Sequence, residues 1–252
     1  MDTPAYQRLA DLLRTAIIQG DYQPGDTLPK LTDLMAEHGI AKQTASEAIA
    51  VLEAEGLVEA IRRRGTVVRA RPTPRRLTRA RQVFRDDRGY YFDPTAQPWV
   101  ALEQPTVIWG RAPADVAALL GVDLAQDVLI RDRLMGDPTS RKPMQLATSY
   151  LPSTVARGTR LAEADTGPGG IYDLLEGMGH QPLAWGETVG ARTPTPTEVT
   201  RLALAKGVPL LRIVRTATGP DGTVLEINDT RMSAEEFEIG YSIARNLSAE
   251  LG

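Results

Sequence analysis

The first 70 residues carry the pattern that most restricts the fold: three short helical periodicities followed at once by two β-prone runs. Between residues 4 and 20 the apolar side chains Tyr6, Leu9, Leu12, Leu13, Ala16 and Ile17 recur at the spacing of one helix face, and Gly20 stands where a helix stops. The stretch GDYQPGDTLP reads as a tight turn because glycine and proline punctuate it. A short second helix is predicted from Lys30 to His38. A third begins near Ala41 and runs through Ala45, Ala48, Ile49 and Leu52 to Gly56. Helices joined by so few residues form a helix-turn-helix. The runs LVEA and TVVR, separated by Ile-Arg-Arg-Arg-Gly, predict a hairpin with a basic tip. This order, α-α-α-β-β, is that of a winged helix-turn-helix. Its third helix enters the major groove of DNA while the hairpin reaches an adjacent groove or the phosphates.

The charge distribution agrees with such a partner, although the net charge of −3 does not. Residues 62–88 hold eleven arginines against only Asp86 and Asp87, while the segments on either side are acidic. A cationic run of this density is the footprint of a polyanion. Lys42, Gln43, Thr44 and Ser46 lie in the first turns of the third helix, where polar side chains reach base edges and the helix N-terminus favours an anion. With Lys30 at the start of the second helix and Arg62, Arg63, Arg64, Gly65 and Thr66 at the hairpin tip, they form the expected DNA-binding set.

Prolines at 72 and 74 disfavour continuation of the hairpin strand. The reading is therefore a DNA-binding domain over residues 1–71, a basic tether over 72–88 lying near the DNA backbone, and a second domain over 89–252.

Other functions are excluded by what the chain lacks. With no cysteine and only His38 and His180, neither a disulfide framework, a thiolate nucleophile nor a zinc site is expected. No nucleophile–base pair, metal-ligand spacing or nucleotide-binding loop stands out, so no catalytic residue, metal or cofactor is expected, and the protein is read as no enzyme. No run approaches a membrane span, and the first residues carry acids where a signal peptide needs basic and then apolar residues. A cytoplasmic location is the expectation.

In the second half, VLIRDRLM, MQLATSYL, AWGETVGAR, PLLRIVRTAT and TVLEINDTRM read as strands. ADVAALLG, GIYDLLEGMG and PTEVTRLALAKG read as helices. Pro220-Asp221-Gly222 is hairpin material, and crossover helices do not separate the strands regularly, so an antiparallel sheet with helices packed on it is predicted. The fold class is α+β. Arg131 and Arg133 fall on one face of their strand and present two guanidiniums suited to clamping a carboxylate or phosphate. The glycine-rich loop at 166–170 is expected to be a turn rather than a ligand loop.

Residues 4–70, with AIIQGDYQPGDTLP, LTDLMAEHGIAKQTASEAIAVLEAEGLV and RGTVVR, resemble the DNA-binding domain of the GntR family of bacterial transcriptional regulators. Departures at Lys30, Ala41-Lys42, Ser46 and the single glycine of the hairpin tip bear on which operator is read. Residues 90–245 resemble the UTRA effector-binding domain of the HutC subfamily, whose fold is like that of chorismate lyase. Arg131, Arg133, TSYLP, Glu187, Ala191-Arg192, Thr197-Glu198, Pro209-Leu210, Arg215, Asp221-Gly222 and Glu226 carry the likeness.

The resemblance implies a homodimer on a palindromic operator in double-stranded DNA, with a small anionic effector bound in the second domain. Arg131, Arg133, Gln145, Thr148, Glu187 and Glu226 are its candidate contacts, and repression relieved by ligand is the expected mechanism. The alternative is a constitutive repressor of the plasmid-transfer type whose second domain only dimerises.

Overall fold

The computed structural model describes residues 3–70, 72–79, 83–86, 89–91, 99–167 and 169–243. Arg71, Arg81 and Arg88 of the basic run lie outside them. The chain divides into two compact units, one formed by residues 1–73 together with 204–209, the other by 74–203 and 210–252.

In the first unit α1 (Ala5–Gln19), α2 (Leu31–His38) and α3 (Lys42–Ala54) precede the antiparallel pair β1 (Val58–Ile61) and β2 (Gly65–Val68). The apolar faces read from the sequence meet in one core of Leu9, Leu13, Leu34, Ala45, Ala48 and Leu52, closed by Val58 and Val68 from the hairpin. Leu28 carries the turn before α2 into that core. Its N–H donates to Thr66 O at 2.8 Å and Thr27 bridges Val67, so the turn and the wing are laced together.

The second unit is built on an antiparallel sheet. Its strands are β10 (Ala184–Arg192), β11 (Leu210–Thr218), β12 (Val224–Ser233), β9 (Pro143–Pro152) and β8 (Asp127–Gly136), in that order. Both β6 (Val100–Ala101) and β7 (Thr106–Arg111) pair with β8. All five strands read from the sequence are present, and a tight turn at Gly219–Thr223 joins β11 to β12.

On one face of the sheet, here face A, Leu129, Leu151 and Leu225 pack under α5 (Ser153–Ala156), the short turn of helix at Arg160–Ala162 and α6 (Gly170–Leu175). Face B carries Val128, Tyr150 and Ile227 under α4 (Ala114–Leu120). On face B, too, the side chains of α7 (Pro196–Arg201) meet the strands. The predicted helix over PTEVTRLALAKG stops at Arg201, because Ala203 takes a left-handed φ of 50°. Its cap is Thr195 in a reciprocal box with Glu198.

The expected basic tether is not one. Residues 75–79 form β3 (Arg75–Arg79), parallel to β13 (Phe237–Tyr241), and β4 (Phe84–Asp86) pairs with β5 (Gly89–Tyr91). The physical reason is Leu77, buried with Ile213, Met232 and Phe237 in a third apolar cluster. The arginines around it find partners: Arg76 pairs with Glu238 at 2.7 Å, Arg79 with Glu187 at 3.5 Å and Arg85 with Asp173 at 2.7 Å. Alternation around one apolar residue outweighs the composition of a linker.

Candidate DNA interface and effector site

Four cations, Lys30, Arg62, Arg63 and Arg64, line a cleft of about 770 Å³ between the start of α2 and the wing, and no carboxylate lines it. The three wing arginines are all exposed but differ in role. Arg64 donates to Gly25 O and so ties the tip back to the turn before α2. Arg63 sits at the apex with φ 67°, a conformation that costs a side-chain-bearing residue about 1 kcal/mol or more. Gly65, at φ 101°, has Thr27 Cγ2 3.3 Å from where a Cβ would lie, and Thr66 accepts the Leu28 N–H. These two shape the tip.

On α3, Lys42, Gln43 and Ser46 are exposed and Thr44 half-buried, and no side chain caps the first turn, leaving its N–H groups open to a phosphate. The sequence reading missed Glu47, which accepts from Gln43 Nε2 at 3.0 Å on the same exposed stripe. Helical spacing alone pointed to it.

In the second unit the register decides which candidates meet. Arg131 pairs with Ser149, Arg133 with Ala147 and Met135 with Gln145, so all of these face A, as do Asn228 opposite Ser149 and Glu187 opposite Arg215. Thr148 pairs with Asp132 and Asp229 and therefore faces B. There it donates to Asp132 Oδ1 at 2.5 Å and accepts from Arg231. It does not join the two arginines, because neighbouring residues of a strand point to opposite sides. Gln145 shares their face but lies beside Met232 at the apolar end.

Arg131 and Arg133 do not form the symmetric clamp expected of them. Arg131, 3% exposed, directs Nη1 to the carbonyls of Leu161 (3.0 Å) and Glu163 and Nη2 to that of Ala164 (3.1 Å), fastening the covering loop to the sheet. Burial lowers its pKa, and the adjacent Arg133 acts in the same direction.

Among the described residues Arg133 has one hydrogen-bond partner, Ser149 Oγ, at 3.0 Å from Nη2, and its buried Nε has none. Ser149 Oγ also accepts from Asn228 Nδ2 at 3.0 Å, and Asn228 Oδ1 accepts from Thr230 at 2.9 Å. With both lone pairs engaged, the fully buried Ser149 hydroxyl has its hydrogen left to donate. Glu226, 1% exposed, keeps Oε2 without a hydrogen bond among the described residues. Burial pushes the Tyr172 phenol well above its usual range, and the adjacent Glu226 carboxylate adds to the effect. Arg215 donates to Glu187 at 2.9 Å, and Arg79 lies on the same carboxylate. Ser149, Asn228, Tyr172 and Arg79 were not found from the sequence, since cross-strand register brings them together.

Among the described residues face A thus holds four guanidiniums, Arg79, Arg131, Arg133 and Arg215, with the half-buried carboxylate of Glu187 and the buried one of Glu226 beside them. Guanidiniums in this arrangement can pair with an oxyanion, and Glu226 Oε2 is an acceptor without a hydrogen bond among the described residues. The glycine loop takes no visible part: a Cβ at Gly169 would collide with the Asp173 carboxylate, so that glycine serves the turn, and Pro168 lies outside the described residues. Among the described residues no cluster of His, Asp or Glu could hold a metal ion, and no helix is long and apolar enough to cross a membrane.

Comparison with known proteins agrees with both units. Residues 5–68 match the model of bacterial regulatory proteins of the gntR family and residues 107–238 that of the UTRA domain. An uncharacterised HTH-type transcriptional regulator of Streptomyces coelicolor is 34% identical over 88% of this chain and 86% of its own length. The HTH-type transcriptional repressor NagR of Bacillus subtilis is 27% identical over 88% of each. The crystal structure of a protein assigned to the GntR family superposes with a TM-score of 0.69 at 28% identity, covering 97% of this chain and 99% of that one. The chain belongs to the GntR family of bacterial transcriptional regulators, as a member that joins a DNA-binding helix-turn-helix to a UTRA effector domain and is no enzyme.

Proposed function

We propose that this regulator is a homodimeric repressor of a palindromic operator, released when a small oxyanion enters face A of its second unit at Arg133, Ser149 and Asn228. The observation that carries the reading is the Arg133 Nε atom, buried without a hydrogen bond among the described residues, beside a Ser149 hydroxyl hydrogen left for an acceptor. A buried cation without full pairing is costly, and an anion that supplies the pairing is bound tightly. Glu226 Oε2 selects an effector that also carries a hydroxyl or amine. The relative NagR is a repressor by name, which supports the direction of control.

DNA contact is proposed for Lys30, Lys42, Gln43, Thr44, Ser46, Arg62 and Arg63, with Arg64, Gly65 and Thr66 shaping the wing. Replacing Arg62 and Arg63 by Ala is expected to weaken binding about tenfold and to lower the salt slope by about 2, read by fluorescence anisotropy. An unchanged slope would remove the wing from the interface.

The second reading, a constitutive repressor whose UTRA domain only dimerises, is favoured by the occupation of Arg131 by backbone carbonyls. Thermal unfolding with millimolar phosphate, sulfate and carboxylates separates the two, because a ligand of the folded state alone raises the melting temperature. A shift lost in Arg133→Ala supports the effector reading. No shift with any anion supports the constitutive one.

A further inference from the structure

The loop that covers Arg131 on face A has little hold on the sheet through its side chains. Between residues 161 and 167 Leu161 alone is buried, while Glu163, Ala164 and Asp165 are exposed. Its ends bend at glycines, Gly158 at φ 75° and Gly167 at φ 79°. What fastens it is backbone: the carbonyls of Leu161, Glu163 and Ala164 all accept from the one guanidinium of Arg131.

Arg131 in turn lacks an ordinary counter-charge. Among the described residues it makes no ion pair, and Glu226 and Asp165 act on it as charges without a hydrogen bond. Its Nε, like that of Arg133 two residues on, is buried with no hydrogen-bond partner among the described residues. Neutral carbonyls therefore balance a buried cation that stands beside a second one. Directly opposite Arg131 in the register of β8 and β9 is Ser149, whose hydroxyl accepts from Arg133 and keeps its hydrogen to give. An oxyanion that takes this hydrogen lies against both guanidiniums.

We propose that the backbone of residues 161–164 is an internal stand-in for the effector: an oxyanion bound at Ser149 takes Arg131 from the three carbonyls, closes the clamp of two arginines and frees the loop. The inference deepens the effector reading above and rests on it. Hydrogen bonds from a guanidinium to an anion are about twice as strong as those between neutral groups, and the anion also relieves the repulsion between Arg131 and Arg133. The loop, hinged on glycines and otherwise anchored by Leu161, is the part that gives way.

The test follows the full chain with and without millimolar inorganic phosphate, sulfate or acetate. Binding is read as a thermal shift. The N–H groups of Leu161, Ala162 and Glu163 donate to Thr159 Oγ1, Thr159 O and Arg160 O within the loop, so their hydrogen exchange reports whether that turn stays formed. An anion that raises the melting temperature is expected to speed exchange at these three amides about tenfold or more, against the usual direction for a ligand. Arg131→Met should exchange fast with and without the anion. Arg133→Met should keep slow exchange and show no thermal shift. The wild-type chain decides the matter if Arg131→Met does not fold.

An anion that raises the melting temperature through Arg133 but leaves exchange at residues 161–163 unchanged, or slows it, overturns the stand-in and leaves the effector reading in place. If none of the three anions shifts the melting temperature, or if the shift survives in Arg133→Met, the effector reading itself has failed and the proposal falls with it.

Discussion

The two faces of the second unit's sheet carry similar numbers of arginines and treat them in opposite ways. Face B sets Arg192, Arg201, Arg212 and Arg231 among Glu103, Asp115, Asp132, Glu198 and Asp229, so every cation has a carboxylate within 4 Å. Even Arg231 Nε, which makes no hydrogen bond, lies 3.9 Å from Asp229. Face A sets four arginines beside one half-buried and one buried carboxylate, and among the described residues Arg133 has a serine as its hydrogen-bond partner and Arg131 as its neighbour. One face is a finished structural network. On the proposed reading the other is completed by a further anion, and that difference, rather than the presence of arginine as such, would separate a scaffold from a receptor.

The largest test of the contrast is a pair of isosteric substitutions. Arg231→Met leaves Asp132, Glu198 and Asp229 with fewer partners and is expected to cost about 3 to 5 kcal/mol. Arg133→Met, which removes an incompletely paired, half-buried cation, should change the stability of the ligand-free chain by no more than about 1 kcal/mol while abolishing stabilisation by phosphate. Equal costs in urea unfolding would erase the distinction between the faces.

Arg131→Met comes next and sharpens the division within face A. Losing the ties to the carbonyls of Leu161, Glu163 and Ala164 should cost about 3 kcal/mol and speed amide exchange over residues 161–165. Arg133→Met should leave that exchange unaltered.

A third test uses pH on face B. Burial works to raise the Glu198 pKa, but hydrogen bonds from Arg192 and from the backbone and hydroxyl of Thr195 hold it down to about 2, against an ordinary 4.5. A depressed carboxylate stabilises the fold above its unfolded pKa and ceases to do so as pH falls through its folded one. About 2 to 3 kcal/mol should therefore be lost between pH 4.5 and 2, and Glu198→Gln should remove that part of the pH dependence. A wild-type acid limb that the substitution leaves in place would show that other carboxylates govern it.

The smallest effect provides the baseline. Arg76 and Glu238, both well exposed, should contribute less than about 1 kcal/mol, so Arg76→Ala is expected to leave calorimetric unfolding almost unchanged.

Much of the first unit was legible because its evidence is local. Helical periodicity, the Pro-Gly turn and a basic hairpin tip each lie within a few residues of the contacts they make, and the core of Leu9, Leu13, Leu34, Ala45, Ala48 and Leu52 follows the predicted faces. In the second unit the strands were legible for the same reason. The tether was misread because the arginine content of residues 72–88 hid the single buried residue, Leu77, whose partners Ile213, Met232 and Phe237 lie more than 130 positions away in the sequence.

By itself the sequence determined a winged helix-turn-helix, an antiparallel α+β second half, and the placing of Arg131 and Arg133 on one side of a strand. Those are consequences of short-range periodicity and turn chemistry. Only the tertiary structure decided that Thr148 faces away from them, that Arg131 holds a loop while Arg133 Nε is buried without a hydrogen bond among the described residues, and that residues 204–209 belong to the DNA-binding unit. The physical reason is that cross-strand register and ion pairing join residues far apart in the chain. Whether a charge is satisfied depends on which distant partner the fold brings to it.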